Sequence, residues 1–322
     1  MQDINLFVST DRGRSGAVRQ VPGTVFNELA AANGTLKASP RSSYGIAILP
    51  SGRILLSLGT ATVQALVSTD DDGESYAAVL SAPAGDYNFI GFHPKTPTAV
   101  AAGGRRSTDG GATFPTALAY VAQGISTGGA LYGRSGNNAV LRSANWASGT
   151  PTWTEFYTSA ASIRKYGLNS HLMAVDPHDE YTIWTVDAGG DLIRVRNTGS
   201  AAAAAQVTGF PIKGEAWGGP AADFEIADIA RDPTDAALVY VTLFGTGIEA
   251  IWRGRIAGAT VAWENLTLNA PRWQDLSISV LPGSGDVIVG GGVGGWVLPG
   301  AAGTTALAAP SVWSGLAEPV RR

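Results

Sequence analysis

An all-β fold of short strands, arranged as a single β-propeller, is what this sequence predicts, and three observations carry the prediction. A turn motif recurs, a strand–proline–strand unit recurs, and no stretch keeps a helical period. The turn motif is clearest at Ser107-Thr108-Asp109-Gly110-Gly111-Ala112-Thr113-Phe114. Thr69-Asp70-Asp71-Asp72-Gly73-Glu74-Ser75-Tyr76 has the same skeleton of hydroxyl, Asp, Gly, hydroxyl and aromatic at the same spacing. Ser9-Thr10-Asp11-Arg12-Gly13-Arg14-Ser15 repeats all but the aromatic, and Ser143-Ala144-Asn145 with Trp153 is a decayed copy. The starts at 69, 107 and 143 lie 38 and 36 residues apart, the period of a small sheet unit.

Each copy reads as a tight turn between two strands. An Asp side chain accepts hydrogen bonds from the backbone of its own loop, and a Gly supplies positive φ at little cost. The aromatic closes the loop from beneath. Ser9, Asp11, Gly13, Thr69, Asp71, Gly73, Tyr76, Ser107, Asp109, Gly111 and Phe114 are therefore assigned to scaffolding, because such an Asp is consumed by its own loop.

The second element is an apolar strand, a proline turn and another apolar strand. Ile46–Leu56, Phe89–Pro97, Leu172–Asp179, Ile226–Asp235 and Leu276–Gly283 are its instances. Proline presets φ for a turn and cannot donate to a ladder, so it belongs between the strands. The runs that follow, such as Leu238–Phe244 and Asp286–Gly290, are nearly continuous in apolarity, as strands buried on both faces are. The alanine run 201–205 reads as a loop or a weak outer strand. Units start near residues 45, 88, 119, 171, 225 and 276 of one domain spanning 1–322. Residues 1–30 hold a further turn motif and strand pair, and pairing them with the 311–313 region would complete a closing blade. Seven blades are expected on this reading, with six as the alternative.

Composition narrows function by exclusion. With 22 basic and 26 acidic residues the net charge is −4, and no basic cluster offers nucleic acid a polyelectrolyte footprint. Without cysteine there is no disulfide, no thiol nucleophile and no thiolate metal ligand. His93, His171 and His178 are too scattered for a zinc or triad site and read as turn or surface residues. Asp70-Asp71-Asp72 fits the turn register better than a calcium loop, and no helix follows the glycine run at 290–295 to make a phosphate cradle. No metal and no cofactor are expected. The N-terminus has no basic-then-apolar signal pattern, and no run nears the roughly 18 apolar residues of a membrane span. A soluble, cytoplasmically synthesised chain is expected, without membrane insertion.

The turn motif resembles the Asp-box, or bacterial neuraminidase repeat, of sialidase-like propellers. The strand–Asp-Pro–strand units at Ala174–Asp179 and Ala230–Asp235, the latter followed by Gly245-Thr246-Gly247, resemble repeats of xyloglucanase-type glycoside hydrolases and sortilin-like propellers. The resemblance implies a propeller whose Asp-boxes lie away from its active face. It also implies catalytic groups that the sequence does not repeat. Where sialidases have an Arg-Ile-Pro segment before the first box, this chain has Pro40-Arg41-Ser42. Xyloglucanase-type enzymes work between two propellers, and this chain has length for one.

In a propeller the connectors entering the innermost strands line one face. Tyr44, Tyr87, Tyr166, Trp217 and Trp273 fall just before such strands, with Arg41, Asp86, Arg164, Lys165, Lys213, Glu215, Arg272 and Asp275 nearby. Rings stack on sugar faces while neighbouring charges bond hydroxyls, so Tyr44, Tyr87, Tyr166, Trp217, Arg272 and Trp273 are candidate ligand contacts. The structural alternative has the aromatics wedged between blades. All nine tryptophans lie between Trp146 and Trp313, which biases an aromatic surface toward the later units. For catalysis the candidate acids are Asp223, Glu225 and Asp228, since strand residues two apart share a side and glycosidases need two carboxylates. The leading expectation is a non-catalytic binding or assembly module, in a bacteriophage virion as a tail or fibre component, touching a host glycan or another virion protein. A sialidase-like or xyloglucanase-like glycoside hydrolase is the alternative.

Overall fold

A computed structural model describes residues 5–8, 17–20, 42–59, 63–83, 89–160, 162–163, 172–199, 204–211, 225–244, 250–268, 277–282, 284–291, 294–301 and 314–315. Every regular element among them is a strand. The chain divides into two compact units: residues 1–135, 141–154 and 317–322 form one, and 136–140 and 155–316 the other.

The first unit begins with a two-stranded ribbon, β1 (Asn5–Val8) on β2 (Ala17–Gln20). Two four-stranded antiparallel sheets follow. One has β3 (Ser42–Ile48), β4 (Ile54–Gly59), β5 (Val63–Thr69) and β6 (Ala77–Pro83), and the next β7 (Ile90–His93), β8 (Thr96–Ala102), β9 (Arg105–Ser107) and β10 (Thr116–Ala117). The third sheet, β11 (Val121–Ile125), β12 (Leu131–Ser135), β13 (Ala139–Ser143) and β14 (Thr154–Thr158), has residues in both units. The second unit holds three more. They are β15 (Met173–Val175) to β18 (Ala204–Val207) through β16 (Thr182–Val186) and β17 (Leu192–Arg196); β19 (Glu225–Arg231), β20 (Leu238–Phe244), β21 (Ile251–Ala257) and β22 (Thr260–Asn265); and β23 (Ser277–Val280), β24 (Val287–Gly291), β25 (Gly294–Leu298) and β26 (Ser314–Gly315).

In every sheet the strands lie side by side in chain order, the up-and-down topology of a propeller blade. The fold is an all-β propeller, with six four-stranded blades among the described residues, which corrects the expectation of seven. β26 pairs with β25, Val297 opposite Ser314 and Trp296 opposite Gly315. The C-terminal strand is therefore used as the fourth strand of its own sheet and is not available to the N-terminus. Among the described residues β1 and β2 pair only with each other, so the closure by paired terminal strands is absent there too.

The apolar runs are explained by burial on two faces. In the first sheet Leu55 and Leu66 pack with Ile90, Val100 and Phe114 of the next, while Ile54, Leu56, Leu58, Ala65 and Val67 form a separate cluster with Tyr76 on the opposite face. β16 is buried along its whole length, and Val239, Tyr240 and Val241 of β20 are inaccessible to solvent. Each such aliphatic side chain contributes roughly 1.5–3 kcal/mol on burial. A strand sandwiched in this way has no polar side to alternate. No helix among the described residues is long and apolar enough to cross a membrane, and the chain is free of cysteine.

Candidate functional site

The recurrent turns join the third and fourth strands of their sheets. Between β5 and β6 the Thr69 hydroxyl donates to Asp71 Oδ1 at 2.8 Å and accepts from the Gly73 N–H at 2.8 Å. Asp71 also accepts from the Ser75 N–H at 2.9 Å and the Ser75 hydroxyl at 2.6 Å. The loop between β9 and β10 repeats the pattern. Ser107 donates to Asp109 at 2.6 Å and accepts from Gly111, and Thr113 donates twice to Asp109, at 2.9 and 2.6 Å. Gly73 and Gly111 have φ of 86° and 79°, and a Cβ on Gly111 would lie 2.8 Å from a Leu55 methyl. Phe114 is buried below its loop and Tyr76 packs on the first sheet. Ser9, Asp11 and Gly13 lie outside the described residues.

These bonds hold the carboxylates ionised. The Ser75 hydroxyl, then its N–H, then the Thr69 hydroxyl bring Asp71 to about 2. Burial acts to raise Asp109, but the Ser107 and Thr113 hydroxyls and the Thr113 N–H outweigh it and bring that group also to about 2. A depressed carboxylate stabilises the fold above the unfolded pKa of about 3.9 and loses that contribution as pH falls through the folded value. Asp109→Asn is therefore expected to lower Tm at pH 7 by about 2 °C, the equivalent of about 1 kcal/mol once solvent screening is allowed for. Thermal melts should show that difference closing as pH falls from about 4 toward 2.

The connector ends of the innermost strands carry a different feature. β3, β11 and β19 each shift register there, between Ser43 and Gly45, Ala122 and Gly124, and Ile226 and Asp228. Tyr44, Gln123 and Ala227 are the extra residues, each opposite no single partner. Bulges bend a strand and re-aim side chains, and they are common beside functional sites. Tyr44 thus stands in a bulge of the backbone, where turn chemistry gave no hint of one. Gln123, not singled out by sequence, donates its side-chain amide to the Ala122 carbonyl at 2.8 Å. Glu225 opens β19 directly before the bulge.

Asp228 is spent on the framework. One carboxylate oxygen accepts from the Ile229 N–H at 3.1 Å and the other from the Ile278 N–H at 3.2 Å, tying β19 to β23 of the next sheet. Asp223, Tyr87, Tyr166, Trp217, Arg272 and Trp273 lie outside the described residues. The structure thus brings Glu225 and Asp228 onto one strand, separated by a bulge that breaks their simple alternation.

Sequence reasoning missed a buried polar junction between the fourth and fifth sheets. Arg231 Nε donates to Asp176 Oδ2 at 2.9 Å, with both side chains nearly inaccessible. Arg231 also donates to the Ala236 and Leu238 carbonyls, and its guanidinium lies 5.4 Å from the Trp184 ring centre. Asp176 further accepts from Trp184 Nε1 at 3.1 Å and the His178 N–H at 2.9 Å. His178 Nε2 bonds the Asp232 carbonyl at 2.8 Å. The two Asp-Pro turns were visible as a repeat, and the arginine that joins them stood beside one of them. Its partner, 55 residues away, carried no local signal. A junction this closed can brace two sheets but gives a ligand no access. His93 is likewise structural: its Nδ1 accepts from the Lys95 N–H, its ring lies 5.9 Å from Trp146, and burial, then Lys95, lowers its pKa.

No protein-family model matches the sequence, and no curated protein matches it. Solved structures do. A protein from Lactobacillus plantarum superposes with a TM-score of 0.62 at 10% identity, covering 93% of this chain and 87% of that one. An ancestral GH74 enzyme gives 0.59 at 13% identity, covering 92% of this chain but 42% of that one. YCF48 from Cyanidioschyzon merolae gives 0.49 at 14% identity over 74% of this chain and 73% of its own. The chain thus spans less than half the length of the GH74 enzyme. At such identities the likeness is one of fold, and that fold is the β-propeller.

Proposed function

We propose that this chain is a non-catalytic β-propeller module for binding or assembly, whose contact face lies at the connectors entering the innermost strands. The observation that carries the proposal is the fate of Asp228. Of the three acids a hydrolase would draw on, the described carboxylate has one oxygen bonded to the Ile229 N–H of its own strand and the other to the Ile278 N–H of β23. A general acid or nucleophile needs a carboxyl oxygen turned to substrate. The bulges at Tyr44, Gln123 and Ala227 support the choice of face. There Tyr87, Tyr166, Trp217 and Trp273 would supply stacking surfaces, with Arg272 bonding hydroxyls. The partner we propose is a host glycan or another virion protein, met as part of a bacteriophage tail or fibre, and the turn loops are Asp-boxes that clasp outer hairpins. Fold likeness to a GH74 enzyme keeps glycoside hydrolysis as the competing reading.

A glycan array run beside a hydrolysis screen separates the two. Binding without turnover, reduced at least about tenfold by Trp217→Ala or Trp273→Ala, is the expected result. Turnover that disappears in Asp223→Ala or Glu225→Ala would replace the binding module with an enzyme. Mass spectrometry of purified virions tests the setting.

A further inference from the structure

Among the described residues three arginines are more than nine-tenths buried: Arg106, Arg231 and Arg253. Two of them meet a carboxylate. Arg231 Nε donates to Asp176, and Arg253 Nε and Nη2 donate to Glu264 Oε2 at 3.2 and 2.5 Å. Arg106, in β9, meets none among the described residues. Its two hydrogen bonds both leave from Nη1, to the Trp146 carbonyl at 2.6 Å and the Gly149 carbonyl at 2.8 Å. Its Nε–H is buried without a hydrogen-bond partner. A guanidinium does not deprotonate inside a protein, so Arg106 cannot shed its charge as a lysine could. Buried cations are paired as a rule, because an unpaired one forfeits its hydration for nothing.

Register explains where this side chain points. Arg106 stands opposite Ala101 of β8 and Thr116 of β10, and Ala101 belongs to the apolar cluster around Leu131 and Trp146 that packs the second sheet on the third. Trp153 packs against the same cluster, and its indole N–H is also buried without a partner. The two carbonyls that hold Nη1 belong to the turn loop after β13. There Ser148, Gly149 and Thr150 are exposed, and a Cβ on Gly149 would meet nothing within 4 Å. The loop thus fixes the guanidinium by Nη1 and leaves the Nε–Nη2 edge unused. Arg253 offers that same edge to Glu264. Its two parallel N–H groups match the spacing of two carboxylate oxygens.

We propose that the Nε–Nη2 edge of Arg106 binds the carboxylate of a small organic acid taken from solution. The acid enters beside Gly149, accepts from Nε–H and Nη2–H, and gives Arg106 the counter-charge that Asp176 and Glu264 give the other two. A small acid fits better than a segment of a partner chain, because Arg106 is only 7% exposed beneath its loop. The loop joins the third and fourth strands of its sheet, at the opposite end of the strands from the connectors entering the innermost ones. The site is therefore separate from the proposed contact face.

Acetate is the probe. At neutral pH, Tm in about 0.1 M sodium acetate is expected to exceed Tm in the same concentration of sodium chloride by about 2 °C or more. Arg106→Lys keeps the charge without the planar fork and should lose most of that difference. A direct readout on the unaltered protein covers the case in which the variant does not fold. The assigned Arg106 Nε–H resonance, followed by nitrogen-15 NMR, should move on acetate titration and saturate. An equal rise of Tm in wild type and Arg106→Lys would reduce acetate to a general solute effect and overturn the site. An Nε–H resonance that acetate leaves unmoved would overturn it as well. Sulfate acting at lower concentration than acetate would replace the carboxylate with another oxyanion. Tighter binding of a capped Gly-Asp-Gly tripeptide would replace the small acid with an acidic protein segment. None of these readouts involves glycan binding or hydrolysis, so this site and the binding module stand or fall separately.

Discussion

Asp176→Ala is expected to destabilise the protein by about 3–5 kcal/mol, because it leaves the Arg231 guanidinium buried with carbonyl oxygens and the Trp184 ring but no counter-charge. On a chain of this size that corresponds to a fall in Tm of roughly 6–15 °C. Removing the anion is worse than removing the pair. The double variant Asp176→Ala/Arg231→Met takes both charges out of the interior and should recover a large part of the loss. A double-mutant cycle by chemical denaturation measures the coupling. If Asp176→Ala cost less than about 1 kcal/mol, water would have to be reaching Arg231, and the junction would not be the dry brace its burial describes.

Trp146→Ala should cost a similar amount, about 3–5 kcal/mol, by emptying the largest fully buried side chain of the first unit. Packing is only part of that. The indole N–H donates to the Gly129 carbonyl at 2.7 Å, a bond the truncation also removes. Trp146→Phe restores most of the volume but orphans the Gly129 carbonyl, so it should fall between wild type and Trp146→Ala. Equilibrium unfolding followed by tryptophan fluorescence and by circular dichroism, with coincident transitions, would rank the three.

The sequence displayed whatever recurs in it. Three starts of the turn motif, 38 and 36 residues apart, revealed the sheet unit, and the buried second strands announced themselves as unbroken apolar runs because both their faces are covered. Blade number was less legible. The Ser9–Ser15 copy suggested a seventh blade, yet the two-residue strand at Ser314–Gly315 belongs to the sixth sheet, and so short a strand has no hydrophobic period to read. The site was legible only as a face. Tyr44 was named for its place before an innermost strand and Glu225 as one of a set of strand acids, but a bulge has no residue signature, so Gln123 passed unnoticed. Asp228 looked like a free acid because one of its two backbone donors, the Ile278 N–H, lies 50 residues away.

The third turn loop bears on how such a chain can diversify. In the second loop the threonine that bonds the aspartate follows it by four residues; in the third, Thr152 bonds Asn145 across seven, and the Ser143 hydroxyl still donates to Asn145 at 3.1 Å. Three residues have been accommodated without undoing the closure, and one side chain within the enlarged loop, Trp146, fills the interior. The hydroxyl and the amide act as a drawstring whose cord can lengthen. A gene built from duplicated units can thus accept insertions at this point in any copy, and a peptide grafted between Asp109 and Thr113 would test the same freedom by design.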